Sequence, residues 1–241
     1  MIEYSFSNQQ ELDTFLDSID ISVPLRSKGR KTEHTEKYTI VSFLKEFHNK
    51  EEFSFPFTLT HRDKPDFSIT SQIKKIGIEF TESIPEQLAK ATYLLEKHFE
   101  GYAKLEPEFF GLDAPKRTDN EILEILNKSQ ERLIGQGFVG KSIEKKWILG
   151  IQSCINKKTK KLNNPEFEIF GNNYLLIYDN QTKPMLDKNY IVENLFPFFK
   201  EYWDENIQKT FDKVFIDSGK VFFVINKEHI PNFNIFAKKV G

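Results

Sequence analysis

Apolar and polar positions along the chain alternate with two periods, and the switches between them mark out the elements. A short helical signal surrounds Leu12–Leu16 within an otherwise polar stretch, 1–30. Residues 22–31, SVPLRSKGRK, combine turn formers with positive charge and read as a loop. From Thr32 the stripe Tyr38, Val41, Phe43, Leu44 and Phe47 predicts a helix that ends near His48-Asn49, with Thr32 or Thr35 as its cap. Three short strands are predicted near 53–59, 65–70 and 75–81, the first an edge or irregular strand because of Pro56. A helix over 85–100 with Pro85 in its first turn, a loop over 101–118 and a helix over 119–134 capped by Asp119 come next. A glycine-rich loop, 135–142, leads into a longer helix, 142–162, which Asn163-Asn164-Pro165 stops. Strands at 174–178, 214–216 and 221–225, with a helix around 189–211, complete the chain.

This order predicts an α/β protein with a mixed central sheet flanked by helices. It reads as a single domain over 1–241, with a core at about 30–180, a helical insertion at about 83–140 and a C-terminal extension at about 185–241. Strand phase adds detail. In the second strand Phe67 and Ile69 share one face, and Asp66, Ser68 and Thr70 the other. In the third, Ile76, Ile78 and Phe80 oppose Gly77, Glu79 and Thr81. Each strand therefore has an apolar side for a core and a polar side bearing one carboxylate.

Lys+Arg 34 against Asp+Glu 36 leaves a net charge of −2, which excludes a strongly basic nucleic-acid coat but not a local basic groove. One cysteine, Cys154, excludes an internal disulfide framework and reads as an inert thiol near its helix's apolar stripe. No apolar run approaches the ~20 residues of a membrane helix, and the acidic, polar N-terminus is no secretory signal, so the expected location is the cytoplasm. The 24 phenylalanines are not read as a base-stacking surface.

The stretch RDKPDFSIT…IGIEFTE resembles the restriction-endonuclease-like superfamily, whose motif is written PD-(D/E)xK. In that family two adjacent strands bring two carboxylates together over Mg²⁺. The ion takes hard oxygen ligands, typically one or two carboxylates plus water and substrate phosphate. The resemblance implies Asp66 and Glu79 as ligands of Mg (or Mn), and a further catalytic carboxylate on the preceding helix, Glu36, with Glu33 as the other choice. It implies a nuclease that hydrolyses phosphodiester bonds, with DNA as the expected partner. The family's Lys, two residues after the second carboxylate, is Thr81 here. Some members supply that Lys from a helix. The stripe Ile148, Ile151, Ile155 and Leu162 carries Lys158 on the same face, so Lys158 is the candidate replacement. Lys157 and Lys161 lie off the stripe and read as solvated. Arg26, Lys28, Arg30 and Lys31 are candidate contacts for backbone phosphates, or a solvated loop.

Two other readings stay open. A fold that has lost its chemistry would be a binding or structural protein, and Thr81 and the near-neutral charge lean that way. GQGFVGKS, Gly135–Ser142, fits the phosphate-cradling pattern G-x-x-x-x-G-K-[ST] of a nucleotide hydrolase. Such a loop needs a buried strand before its first glycine, and the preceding residues are helix-patterned. Lys141 and the start of the 142–162 helix are then phosphate contacts at most. His61 is a phosphate contact or a structural residue. Asp179 and Asp217 follow strands, where α/β proteins place ligand groups and also turns.

Overall fold

The computed structural model describes residues 2–47, 53–99, 104–131, 139–181, 185–204, 209–227 and 233–238. The described residues form an α/β fold built on an eight-stranded mixed sheet, with strands neighbouring one another in chain order. The strands are β1 (Ile2–Phe6), β2 (Phe57–His61), β3 (Phe67–Ser71), β4 (Lys75–Glu82), β5 (Asn172–Tyr178), β6 (Lys213–Asp217), β7 (Val221–Asn226) and β8 (Asn234–Ala237). Only β4–β5 and β5–β6 pair in parallel; the other neighbours are antiparallel. The helices are α1 (Gln9–Ser18), α2 (Thr32–Phe47), α3 (Glu86–His98), α4 (Asp119–Glu131), α5 (Ser142–Leu162) and α6 (Lys188–Asp204).

Strand alternation sends side chains to two separate cores. On one face Phe67, Ile69, Ile76 and Ile78 pack with α1 and α2. On the other, Leu175, Ile177, Val214 and Ile216 pack with α5 and α6. Phenylalanines fill these layers: Phe43 of α2 contacts the rings of Phe47, Phe53 and Phe215, with centroids 4.8–5.8 Å apart. The helices α3 and α4 have a third core of their own, centred on Leu88, Leu94, Phe110 and Leu126. No described helix is long and apolar enough to cross a membrane.

Several boundaries differ from the sequence reading. Strands β1 and β8 were not expected. β1 does alternate, with Ile2, Tyr4 and Phe6 on one side, but only Phe6 is buried and the run is five residues long; β8 is four residues long, has none buried and lacks the alternation. Pro56 lies just before β2, which pairs on both sides and is not an edge. The described part of helix α6 runs to Asp204 and tolerates Pro197 in its interior, and residues 209–211 are not helical.

Gly77 of β4 lies where two rings approach the sheet backbone closely. A Cβ there would lie 2.7 Å from Phe170 Cδ2 and 3.1 Å from Pro65 Cγ. The Arg62 guanidinium stacks over Phe170 at 5.2 Å and restrains its ring. Gly77→Ala is expected to cost about 1–3 kcal/mol, the usual range for overpacking, read as a lower urea midpoint. An unchanged midpoint would show that Phe170 has room to move.

Candidate functional site

The site forms where β3 leaves the sheet. The β3–β4 ladder ends at Phe67↔Ile78, while β4 runs on to Glu82 paired only with β5. One step past the last pair, Asp66 stands beside Glu79. The Phe80 N–H that the ladder leaves without a strand partner donates to Asp66 Oδ2 at 2.7 Å. Asp66 thus replaces a missing strand with a carboxylate, and this holds its side chain in the gap.

Glu79 points from the opposite side of β4 to the first core, toward α5, and is fully buried. Its Oε1 accepts from Lys158 Nζ and from Lys161 Nζ, each at 2.6 Å. Lys161 also lies 3.9 Å from Asp66 Oδ1. Lys158 therefore faces the sheet from the helix stripe, as its spacing predicts. Lys161 corrects the solvated reading: it sits three residues on, which is a neighbouring position on a helix surface, and its long stem reaches back to Glu79. Lys157 is exposed.

Electrostatics at the pair are unequal. Burial, then the charge of Glu79, push the Asp66 carboxyl up to about 6, against the pull of Lys158, the Phe80 N–H and Lys161. Burial works against the Lys161 ammonium, but the hydrogen bond to Glu79 and its charge raise it on balance.

Asp66 opens into a cavity of about 530 Å³, while Glu79 is fully buried and meets that cavity only through the lysines it holds, Lys158 and Lys161. From one side α2 contributes Thr32, Thr35 and Glu36; from the other α5 contributes Lys157, Lys158 and Lys161. The 22–31 loop closes it with Arg26, Arg30 and Lys31. Six basic side chains line it, against the carboxylates of Glu36, Asp66 and Glu82. Glu36 reaches the cavity, but its Oε2 is held 3.2 Å from His61 Nε2, and the His61 ring stacks on Phe67 at 4.9 Å. His61 thus serves as a partner of Glu36. Glu33, the alternative, is exposed and does not line the cavity. Thr81 lines the wall and brings no charge.

No group of three or more His, Cys, Asp or Glu side chains suited to an ion occurs among the described residues. A pair of carboxylates is nevertheless a usual protein complement for Mg²⁺, which keeps several waters. Glu79 Oε2 is buried and accepts no hydrogen bond among the described residues. An orphaned carboxylate oxygen beside a second, cavity-facing carboxylate fits a hard divalent cation held by Asp66 and Glu79.

The remaining candidates sit elsewhere. Half of the glycine-rich loop, residues 135–138, lies outside the described residues. The last described element before it is helix α4, which runs to Glu131, where a phosphate-cradling loop has a strand. Lys141 pairs with Asp187 and stacks over Tyr190, so its ammonium is already engaged. Asp179 accepts from Trp147 Nε1 at 2.7 Å and Ser218 Oγ at 2.8 Å. Asp217 pairs with Lys238 at 2.7 Å. Cys154 is partly buried, and burial raises its thiol. The sequence reading missed Glu82, which organises the two arginines of the loop; nothing in local periodicity links residues more than fifty positions apart. No family model matches the chain, and no significant similarity to a curated protein or a solved structure is found.

Proposed function

We propose that the chain is a metal-dependent phosphodiesterase acting on nucleic acid, DNA in the first instance, with a core of the restriction-endonuclease-like kind. The observation that carries this reading is Asp66 on the wall of a cationic cavity, beside the buried Glu79 that Lys158 and Lys161 hold. Asp66 and Glu79 would hold Mg²⁺ or Mn²⁺. When bound, the ion supplies a lowered pKa for its water and stabilises charge on the scissile phosphate.

The chain's own residues do the rest. Lys158 restores the positive charge that Thr81 lacks, and its hydrogen bond fixes the carboxylate of Glu79. A charge held there stabilises negative charge that develops on the attacking oxygen and costs no reorganisation during the reaction. The excess of basic groups around the cavity draws in a polyanion. Glu36 stays bound to His61 and orients that wall.

The test is cleavage of linear, nicked and single-stranded DNA in Mg²⁺ or Mn²⁺, with EDTA as control. Cleavage that EDTA abolishes supports the reading. Silence on every substrate with both ions overturns it and moves the binding-protein reading ahead.

A pH profile gives a second check. A proton on Asp66 competes with the cation, so kcat/KM at fixed Mg²⁺ is expected to fall as pH drops through about 6. A profile that stays flat from pH 5 to 8 would remove Asp66 from the metal site.

A further inference from the structure

We infer that Arg26 and Arg30, held on Glu82, form a phosphate-binding subsite in the cavity of the carboxylate pair. Both guanidiniums converge on one atom: Arg26 Nη2 donates to Glu82 Oε1 at 2.6 Å and Arg30 Nη2 at 2.8 Å. Asn180 Nδ2 donates to the same oxygen at 2.7 Å. Glu82 is the last residue of β4, three positions beyond Glu79, so the clamp is mounted on the strand that carries the proposed metal ligand.

The two arginines come from one short turn. Gly29 takes φ +81°, a left-handed conformation that glycine adopts without strain, and the turn lets both side chains face the same strand end. The Ser27 N–H anchors the turn by donating to Glu96 Oε2 of α3 at 2.8 Å.

Charge in the cavity is unbalanced. Lys158 and Lys161 lie against Glu79 and Asp66, where like numbers of opposite charges meet. The other basic side chains of the lining, Arg26, Arg30, Lys31 and Lys157, meet only two further lining carboxylates, Glu82 and the His61-bound Glu36. The cavity is left with an uncompensated positive charge of about two, which matches a phosphate group.

A guanidinium has five N–H donors in a rigid fork. Each arginine gives Glu82 one nitrogen, and no further acceptor engages either among the described residues. Their side chains are only 19% and 11% exposed, so a phosphate bound there is partly shielded from water and salt. Glu82 is a positioning residue here: it holds the forks and leaves their outer donors for the ligand. The ligand is a phosphate of nucleic acid, either in the backbone beside the scissile bond or at a strand end.

The inference places the substrate of the proposed nuclease, but its test does not need cleavage. Pyrophosphate is titrated into the full chain by calorimetry. The parent is expected to bind it in EDTA as well as without it, since the two arginines need no metal. The double variant Arg26→Gln/Arg30→Gln is expected to bind at least ~tenfold more weakly, in line with the loss of charge-assisted hydrogen bonds. Arg26→Lys and Arg30→Lys, which keep the charge but lose the fork, should fall between. A double variant that melts earlier but binds pyrophosphate like the parent would reduce the cluster to a loop anchor and overturn the subsite. So would a parent that binds no pyrophosphate at millimolar concentration.

Short oligonucleotides with 5′-phosphate or 5′-hydroxyl ends then compete with pyrophosphate. Equal displacement identifies a backbone phosphate, and preference for the phosphorylated end a terminal one. Displacement by neither keeps the anion site and removes nucleic acid as its ligand. That failure belongs to the nuclease reading alone.

Discussion

Asp66→Asn is expected to lower metal-dependent cleavage by at least about a hundredfold while leaving thermal stability at or above the parent's. The loss follows from removing one of two cation ligands, since metal assistance supplies several kcal/mol of transition-state stabilisation at about 1.4 kcal/mol per tenfold. The stability half follows from the sign of the Asp66 shift. Its carboxyl is pushed up to about 6 by burial and by Glu79, so the folded protein prefers Asp66 protonated. A raised pKa of this kind contributes stability at pH values below the unfolded carboxylate's range. That contribution is lost as pH rises through about 6. At neutral pH the charged carboxylate is therefore a burden on the metal-free fold. The neutral amide removes it, and its oxygen still accepts from the Phe80 N–H. Thermal melts of both proteins at pH 4.5 and pH 7.5 check this: the gap should favour the variant more at the higher pH. A variant that is inactive because it is unfolded, or one that cleaves like the parent, would contradict the assignment.

The second large effect concerns the cations. Lys158→Met together with Lys161→Met is expected to cost about 3 kcal/mol, because Glu79 would be left buried without a charge partner. For a chain of this length that lowers the Tm by roughly 6–12 °C. Adding Glu79→Gln to the double variant should recover most of the loss, since the uncompensated charge is then gone. Either single lysine variant should cost less, because the other ammonium still reaches Oε1. If the double variant melts with the parent, the carboxylate is not relying on these two lysines.

Much of this site can be read along the chain, and the reason is local. Helix α5 shows its register through Ile148, Ile151, Ile155 and Leu162, and the same count aims Lys158 at the sheet. Strand alternation puts Asp66 and Glu79 on matching faces before any pairing is known. What escapes is set by tertiary contact. Lys161 reaches Glu79 only because its stem is long enough to cross from the flank of the stripe. The Arg26–Glu82–Arg30 cluster joins segments 52 and 56 residues apart, which no periodicity connects. Strands β1 and β8 are short and extend a sheet their neighbours already form: β1 buries only Phe6, and Ile235 and Phe236 of β8 are half-buried.

The placement of the two tryptophans has a practical corollary. Trp147 and Trp203 are the only ones in the chain, and both belong to the core between the sheet, α5 and α6. Each indole N–H is bonded inside that layer, to Asp179 and to the Phe211 carbonyl. The opposite layer, with α1 and α2, has phenylalanine and no indole. Tryptophan emission is thus an optical reporter of one face of the sheet and blind to the other. Loosening around Phe43 would leave the fluorescence trace unmoved and show itself only to a probe of the backbone.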